Sequence, residues 1–336
     1  MSVQISAAVG QHFLVGFPGL ELSADTRRLL HTVGPAGAVL FARNIGSPEQ
    51  LNALQAALHH ALPQPPLLAI DQENGRVNRL RNLVGDLPGI AALKRDDKPE
   101  RAEEFGRAIG RQLAALRINL NFAPVLDLEL FAAGTENALR DRCWGTNADE
   151  VIRWAGAFAR GMQAEGVAAC AKHFPGLGGA RLDSHEQLPT ISRTREQLLN
   201  EDLRAFAVLL PRLGAVMVGH AHYPALDGER PRPSSLSPAI MTGLLRGQLE
   251  FRGLALTDDR EMGAVAQAAA VGEAAVEAFR AGADLLLVCH TAERILSAHE
   301  ALVKACESGR ITTERFAESQ QRIQAFRKRW IGPAQI

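Results

Sequence analysis

No stretch of this chain carries a run of like charge. Its 37 basic and 37 acidic side chains cancel to a formal net charge of zero. That leaves no electrostatic footprint for a nucleic acid or an anionic membrane surface, so a neutral or small polar partner is expected. No apolar run approaches the ~18 residues that a membrane helix needs. The opening MSVQISAAVGQHFLVGF lacks the basic start and long apolar middle of a signal peptide. Cysteine is scarce, and the four residues at 143, 170, 289 and 306 form no C-x-x-C pair, which removes the usual zinc and redox motifs. Cys170 and Cys289 sit in apolar runs, where a buried thiol is the expected state. No P-loop or G-x-G-x-x-G is present, so no nucleotide cofactor is called for. Nor does a linker, repeat or low-complexity segment divide the chain. The expectation is a cytoplasmic protein with one domain over 1–336 and no membrane or nucleic-acid partner.

What the chain does have is a rhythm. Short apolar runs recur at 12–17, 37–44, 66–75, 118–128, 167–174, 215–224, 254–259 and 284–290. Runs without alternation suit strands buried on both faces, as in parallel sheets. Helical patterns separate them. Ser47-Pro48-Glu49-Gln50 offers a cap, a proline at the first helical position and a Gln at the third. Ser237-Pro238 opens a second helix in this way, and Thr194 with Gln197 makes a capping box. Residues 98–117 and 149–166 carry the 3.6-residue period, and an amphipathic helix is expected at about 312–330. Eight strand-and-helix units predict an α/β fold of the (β/α)8 barrel type, whose active sites lie at the C-terminal strand ends. Seven of the eight ends here are polar: RN, DQENGR, PVLD, KH, GHAH, TDD and CH.

Several residues at those ends are candidates for chemistry. Asp258 and Asp259 end the seventh strand. Strand alternation lets only one of them face the barrel mouth, which assigns Asp258 to the site and Asp259 to capping the next helix. Asp183 and His185 lie two apart in the long polar segment 172–189. An aspartate beside a histidine can orient the ring and stabilise its protonated form; a hydrogen bond internal to the loop is the alternative. Lys172 and His173 end the fifth strand, where Lys172 could donate to a sugar or phosphate or simply meet solvent. His220 and His222 share a strand face, but their spacing matches no metal-ligand motif, so no metal is read.

The blocks LFARN, AIDQENGRV, NFAPVLDL, AKHFPGLGG, DSH, GHAHYPALD, SSLSP, GLALTDD and AGADLLLV, in that order from about residue 10 to 290, resemble the glycoside hydrolase family 3 β-N-acetylhexosaminidases (NagZ type). The resemblance implies a single-domain, cytoplasmic (β/α)8 barrel that removes N-acetylglucosamine from cell-wall muropeptides without a cofactor. Carried over by position, it implies that Asp258 is the nucleophile, His185 the general acid/base and Asp183 its partner. Asp71, Arg79, Arg142, Lys172 and His173 are implied to hold the sugar. The implied chemistry is retaining hydrolysis through a glycosyl-enzyme, with imidazole replacing one of the usual two carboxyl groups. The chain departs from the family pattern at Asn74, Cys143-Trp144, Leu177 and Arg260. Arg260 and Trp144 are expected to alter which leaving group or sugar is accepted. The competing readings are a glycoside phosphorylase, a β-glucosidase-like member with altered sugar preference, and a non-catalytic sugar-binding paralogue. Intact Asp258, Asp183 and His185 speak against the last.

Overall fold

Each of the eight apolar runs forms a parallel strand. They are β1 Phe13–Val15, β2 Gly37–Leu40, β3 Leu67–Ile70, β4 Leu120–Asn121, β5 Ala168–Phe174, β6 Ala215–Val218, β7 Leu254–Asp259 and β8 Leu285–Val288. The computed structural model describes residues 2–131, 139–180, 188–261 and 270–331. The strands pair in sequence order, and β1 also pairs β8, so the sheet closes into a barrel. Most strands are shorter than the apolar runs because the polar ends leave the ladder and enter the loops above it.

The period of two sorts the side chains into two cores. On β7, Leu254 and Leu256 fill the barrel interior while Ala255 faces the surrounding helices. On β8, Leu285 and Leu287 point in and Leu286 and Val288 point out. The helix Thr313–Trp330 closes the bottom: its Ile323, Phe326 and Trp330 join the interior cluster. Buried Asp284, just before β8, fastens this end. It accepts from the Ala255 amide at 3.0 Å, Arg246 at 2.5 Å and Arg322 at 3.2 Å. Bottom-face residues thus serve stability and leave the opposite face for chemistry.

The helix starts follow the sequence signals. Ser47 Oγ accepts from the Gln50 amide at 3.2 Å, and Thr194 and Gln197 form the reciprocal box. Ser237 Oγ accepts from the Ile240 amide, opening a helix at 239–248 that ends on an i→i+5 bond from Leu249 to Leu244. The helices Pro99–Ala115 and Ala148–Gln163 cross closely. A Cβ on Gly106 would stand 2.1 Å from the Phe158 carbonyl oxygen. Among the described residues no helix is long and apolar enough to cross a membrane.

Candidate active site

The C-terminal strand ends surround a cavity of about 290 Å³. Its floor is apolar, made by Val39, Phe122, Met217 and Leu287, and its walls are ionisable. The wall from β3 is built by a folded-back turn. Gln72 Oε1 accepts from the Arg79 and Leu80 amides at 2.9 and 3.2 Å, and its Nε2 donates to Asn78. This turn brings Asp71, Glu73 and Arg79 to one side of the cavity.

β5 carries Lys172 into that wall. Its ammonium lies 2.6 Å from Asp71 Oδ1 and 2.7 Å from Glu73 Oε1. Arg142 grips Glu73 with two bonds, at 2.9 and 2.7 Å, the fork geometry that favours Arg over Lys. Arg79 stands 3.8 Å from Asp71. Three cations and two carboxylates therefore interlock. Burial pushes the Glu73 carboxyl up, but Arg142 and Lys172 outweigh it and hold the group well below the usual range. Burial likewise disfavours charged Lys172, and Asp71 with Glu73 reverses that and raises its pKa. Glu73 and Lys172 are thus held in their charged forms, and the network offers fixed donors and acceptors to a hydroxylated ligand.

His173 is aimed by Asp127. The carboxylate accepts from the His173 amide and meets ring Nδ1 at 2.7 Å, and it also accepts from the Leu177 amide at 2.7 Å. A carboxylate partner puts the proton on Nδ1, so Nε2 is the nitrogen free of partners among the described residues.

Asp258 lines the opposite side, at the end of β7. Its Oδ1 accepts from the Asp259 amide at 2.8 Å, leaving Oδ2 open to a ligand. Burial pushes its pKa up, but His173, His220, the Asp259 N–H and Lys172 together bring it below the ordinary value. Alternation predicts that Asp259 turns away, yet both carboxylates line the cavity. The reason is a register shift in the β7–β8 pairing between Leu256 and Asp259, which breaks the period of two. Asp259 Oδ1 accepts from the Glu261 amide at 3.1 Å, and its Oδ2 meets His290 Nε2 at 3.0 Å. Residues 262–269 lie outside the described residues, and the next described helix, Val271–Ala281, has Ala270 and not Asp259 at its N-cap.

Six of the eight residues implied from sequence to catalyse or to hold the sugar, Asp71, Arg79, Arg142, Lys172, His173 and Asp258, line this one cavity. Asp183 and His185 lie outside the described residues. Sequence reasoning missed Glu73 and Asp127, and weighed His220 only as a metal ligand. His220 is buried; its Nε2 donates to the Asp259 carbonyl at 3.1 Å, so its Nδ1 accepts from the Ser235 hydroxyl at 2.8 Å. Burial lowers its pKa to about 4, and it acts as a neutral brace beneath β7. Arg260 and Trp144, expected to alter which leaving group or sugar is accepted, do not line the cavity. Trp144 is buried and packs on Phe158 at 5.6 Å, and the Arg260 guanidinium is buried without a hydrogen-bond partner among the described residues. Leu177 and Asn74 are also buried.

The segment after β5 leaves the barrel through Gly176, at φ +125°, where a Cβ would stand 2.8 Å from the Cβ of Asp202. Gly176→Ala should therefore destabilise the fold by about 1–3 kcal/mol. A denaturant midpoint unchanged from the parent would refute that reading.

Comparison with known proteins places this geometry. Residues 4–326 match the family described as glycosyl hydrolase family 3 N terminal domain. A β-hexosaminidase of Tolumonas auensis is 34% identical, over 93% of this chain and 97% of its own. One of Pseudomonas aeruginosa is 38% identical, over 84% and 85%. The solved structure of a glycoside hydrolase family 3 β-N-acetylglucosaminidase from Paenibacillus is 41% identical with a TM-score of 0.93. That likeness covers 97% of this chain, which spans 62% of the length of the Paenibacillus protein. A pocket of paired charges at the mouth of an eight-stranded barrel and likeness along nearly the whole sequence lead to one conclusion: the chain belongs to glycosyl hydrolase family 3 and is a glycoside hydrolase.

Proposed function

We propose that the chain is a retaining exo-β-N-acetylglucosaminidase with Asp258 as its nucleophile. The observation that carries the reading is Asp258 itself, ionised, with one oxygen held and the other open to a small cavity whose far wall is the Asp71–Lys172–Glu73–Arg142 network. The cavity sits at the small end of ligand pockets and has an apolar floor, which suits a single terminal sugar. Asp71, Arg79, Arg142, Lys172 and His173 bind its hydroxyls. The curated relatives are named β-hexosaminidases and the Paenibacillus structure a β-N-acetylglucosaminidase, which supports N-acetylglucosamine as the sugar.

The reaction runs in two displacements. Asp258 Oδ2 attacks C1; the C1–O bond breaks, and its oxygen takes a proton from His185, which Asp183 orients. Water then attacks C1, returns a proton to His185 and frees Asp258. An unperturbed imidazole has a pKa of about 6.5, suited to exchange near neutrality. Hydrolysis is favoured over phosphorolysis because Lys172 is held between two carboxylates and Arg260 lies outside the cavity; phosphate would find neither beside C1. Muropeptides met in the cytoplasm are the proposed natural substrates.

A panel of p-nitrophenyl β-glycosides, with and without phosphate, tests the reading. Release from the N-acetylglucosaminide should dominate, with free sugar as product. Preference for the glucoside, or a sugar 1-phosphate as main product, would overturn it. His185→Ala should slow glycosides with poor leaving groups at least tenfold more than those with good ones. Equal losses would remove His185 from the acid/base role.

A further inference from the structure

The β2 and β8 side of the mouth has no part in the chemistry above, and its charges are arranged by sign. The carboxylates point inward and are engaged: Asp259 with His290, and Glu261 with the His290 and Thr291 amides. The exposed groups are basic. His290 is 52% exposed, and its ring packs on Phe41 with centroids 5.6 Å apart. The exposed Arg43 guanidinium lies 4.2 Å over the Phe41 ring, fixed by bonds to the Phe17 and Cys289 carbonyls at 3.0 and 2.7 Å. His290 Nε2 is taken by Asp259, while Nδ1 has no partner among the described residues. The hydrogen bond to Asp259 raises the His290 pKa against the opposing effects of burial and Arg43.

Position gives these basic groups a task. A sugar with C1 over Asp258 and hydroxyls toward β3 and β5 expels its leaving group on the face away from the nucleophile. That face is the mouth, where Phe41, Arg43 and His290 meet solvent. We propose that His290 and Arg43, standing on Phe41, form an aglycone subsite that binds a carboxylate on the leaving group. Phe41 supplies an apolar face for the aglycone ring, and the protonated form of His290, which Asp259 favours, supplies a directed donor at Nδ1–H. The assignment rests on the glycosidase reading above and adds to it residues that select the substrate.

The test compares carboxyphenyl and carbamoylphenyl N-acetyl-β-glucosaminides, matched in shape but not in charge, with the glycosyl fluoride, which has no aglycone ring. In the intact chain, the ratio of kcat/KM for the acid to that for the amide should exceed the ratio in His290→Gln by roughly fivefold, the scale of a half-exposed ion pair. High salt should erase the difference. The amide and the fluoride should change little in His290→Gln. A ratio identical in parent and variant would overturn the proposal. Equal losses on acid, amide and fluoride would also overturn it, because His290 would then act on Asp258 through Asp259. Failure of the parent to turn over any N-acetylglucosaminide, the fluoride included, would sink the underlying reading and the subsite with it.

Discussion

Asp258→Asn is expected to lose roughly four orders of magnitude in turnover, the scale seen when one member of a catalytic unit is removed. The amide keeps the shape and can still accept from the Asp259 N–H, so ligand binding should survive. What it loses is the charge that Lys172 and the Asp259 N–H favour in the native carboxylate. Asp259 is the sharper control because it also lines the cavity. Its oxygens are engaged with the Glu261 amide and with His290, so Asp259→Asn should retain far more activity. A 5-fluoro glycoside that traps the glycosyl-enzyme should add its mass to the peptide at Asp258. Mass found on Asp259 instead would reverse the assignment.

That two adjacent carboxylates both reach the cavity was not legible in TDD. The eight strands were, because a parallel barrel buries both faces of each strand and writes that burial as uninterrupted apolar runs. The polar strand ends also foretold the face that carries the site. Alternation failed at Asp259 because a register shift depends on the partner strand, β8, which local sequence does not encode. Glu73 and Asp127 escaped for a related reason. Each reads as one more polar residue at a strand end, and its meaning comes from a partner distant in sequence: Arg142 lies 69 residues from Glu73, and His173 lies 46 from Asp127. The one available signal was surplus charge. Among the residues implied to hold the sugar, Arg79, Arg142 and Lys172 have only Asp71 to balance them, and a buried cluster of cations requires further carboxylates. Arg260 and Trp144 show the opposite case. Proximity in sequence to Asp258 and Arg142 suggested the cavity, but packing turned both side chains into the wall.

Glu73→Gln should therefore reach both stability and activity. The substitution keeps the volume but removes the carboxylate that Lys172 and Arg142 share, 2% exposed in the native wall. Breaking a buried pair from one side costs about 3–5 kcal/mol, and the denaturant midpoint at neutral pH should fall accordingly. The pH dependence carries a definite sign. The folded pKa of Glu73 lies below its ordinary value of 4.5, so its contribution is complete above that value and is lost as pH falls through the folded one. Parent and variant should be furthest apart at neutrality and converge as pH drops below about 4.5. A gap that widens in acid would mean that Glu73 is not held ionised by its neighbours. Activity should fall as well, because Asp71 and Arg142 are aligned through the same network, and a displacement of about 1 Å can cost on the order of a hundredfold. Measured where the variant remains folded, full kcat/KM alongside lost stability would make Glu73 a structural residue only. Loss of both would place it among the groups that hold the sugar-binding wall in position.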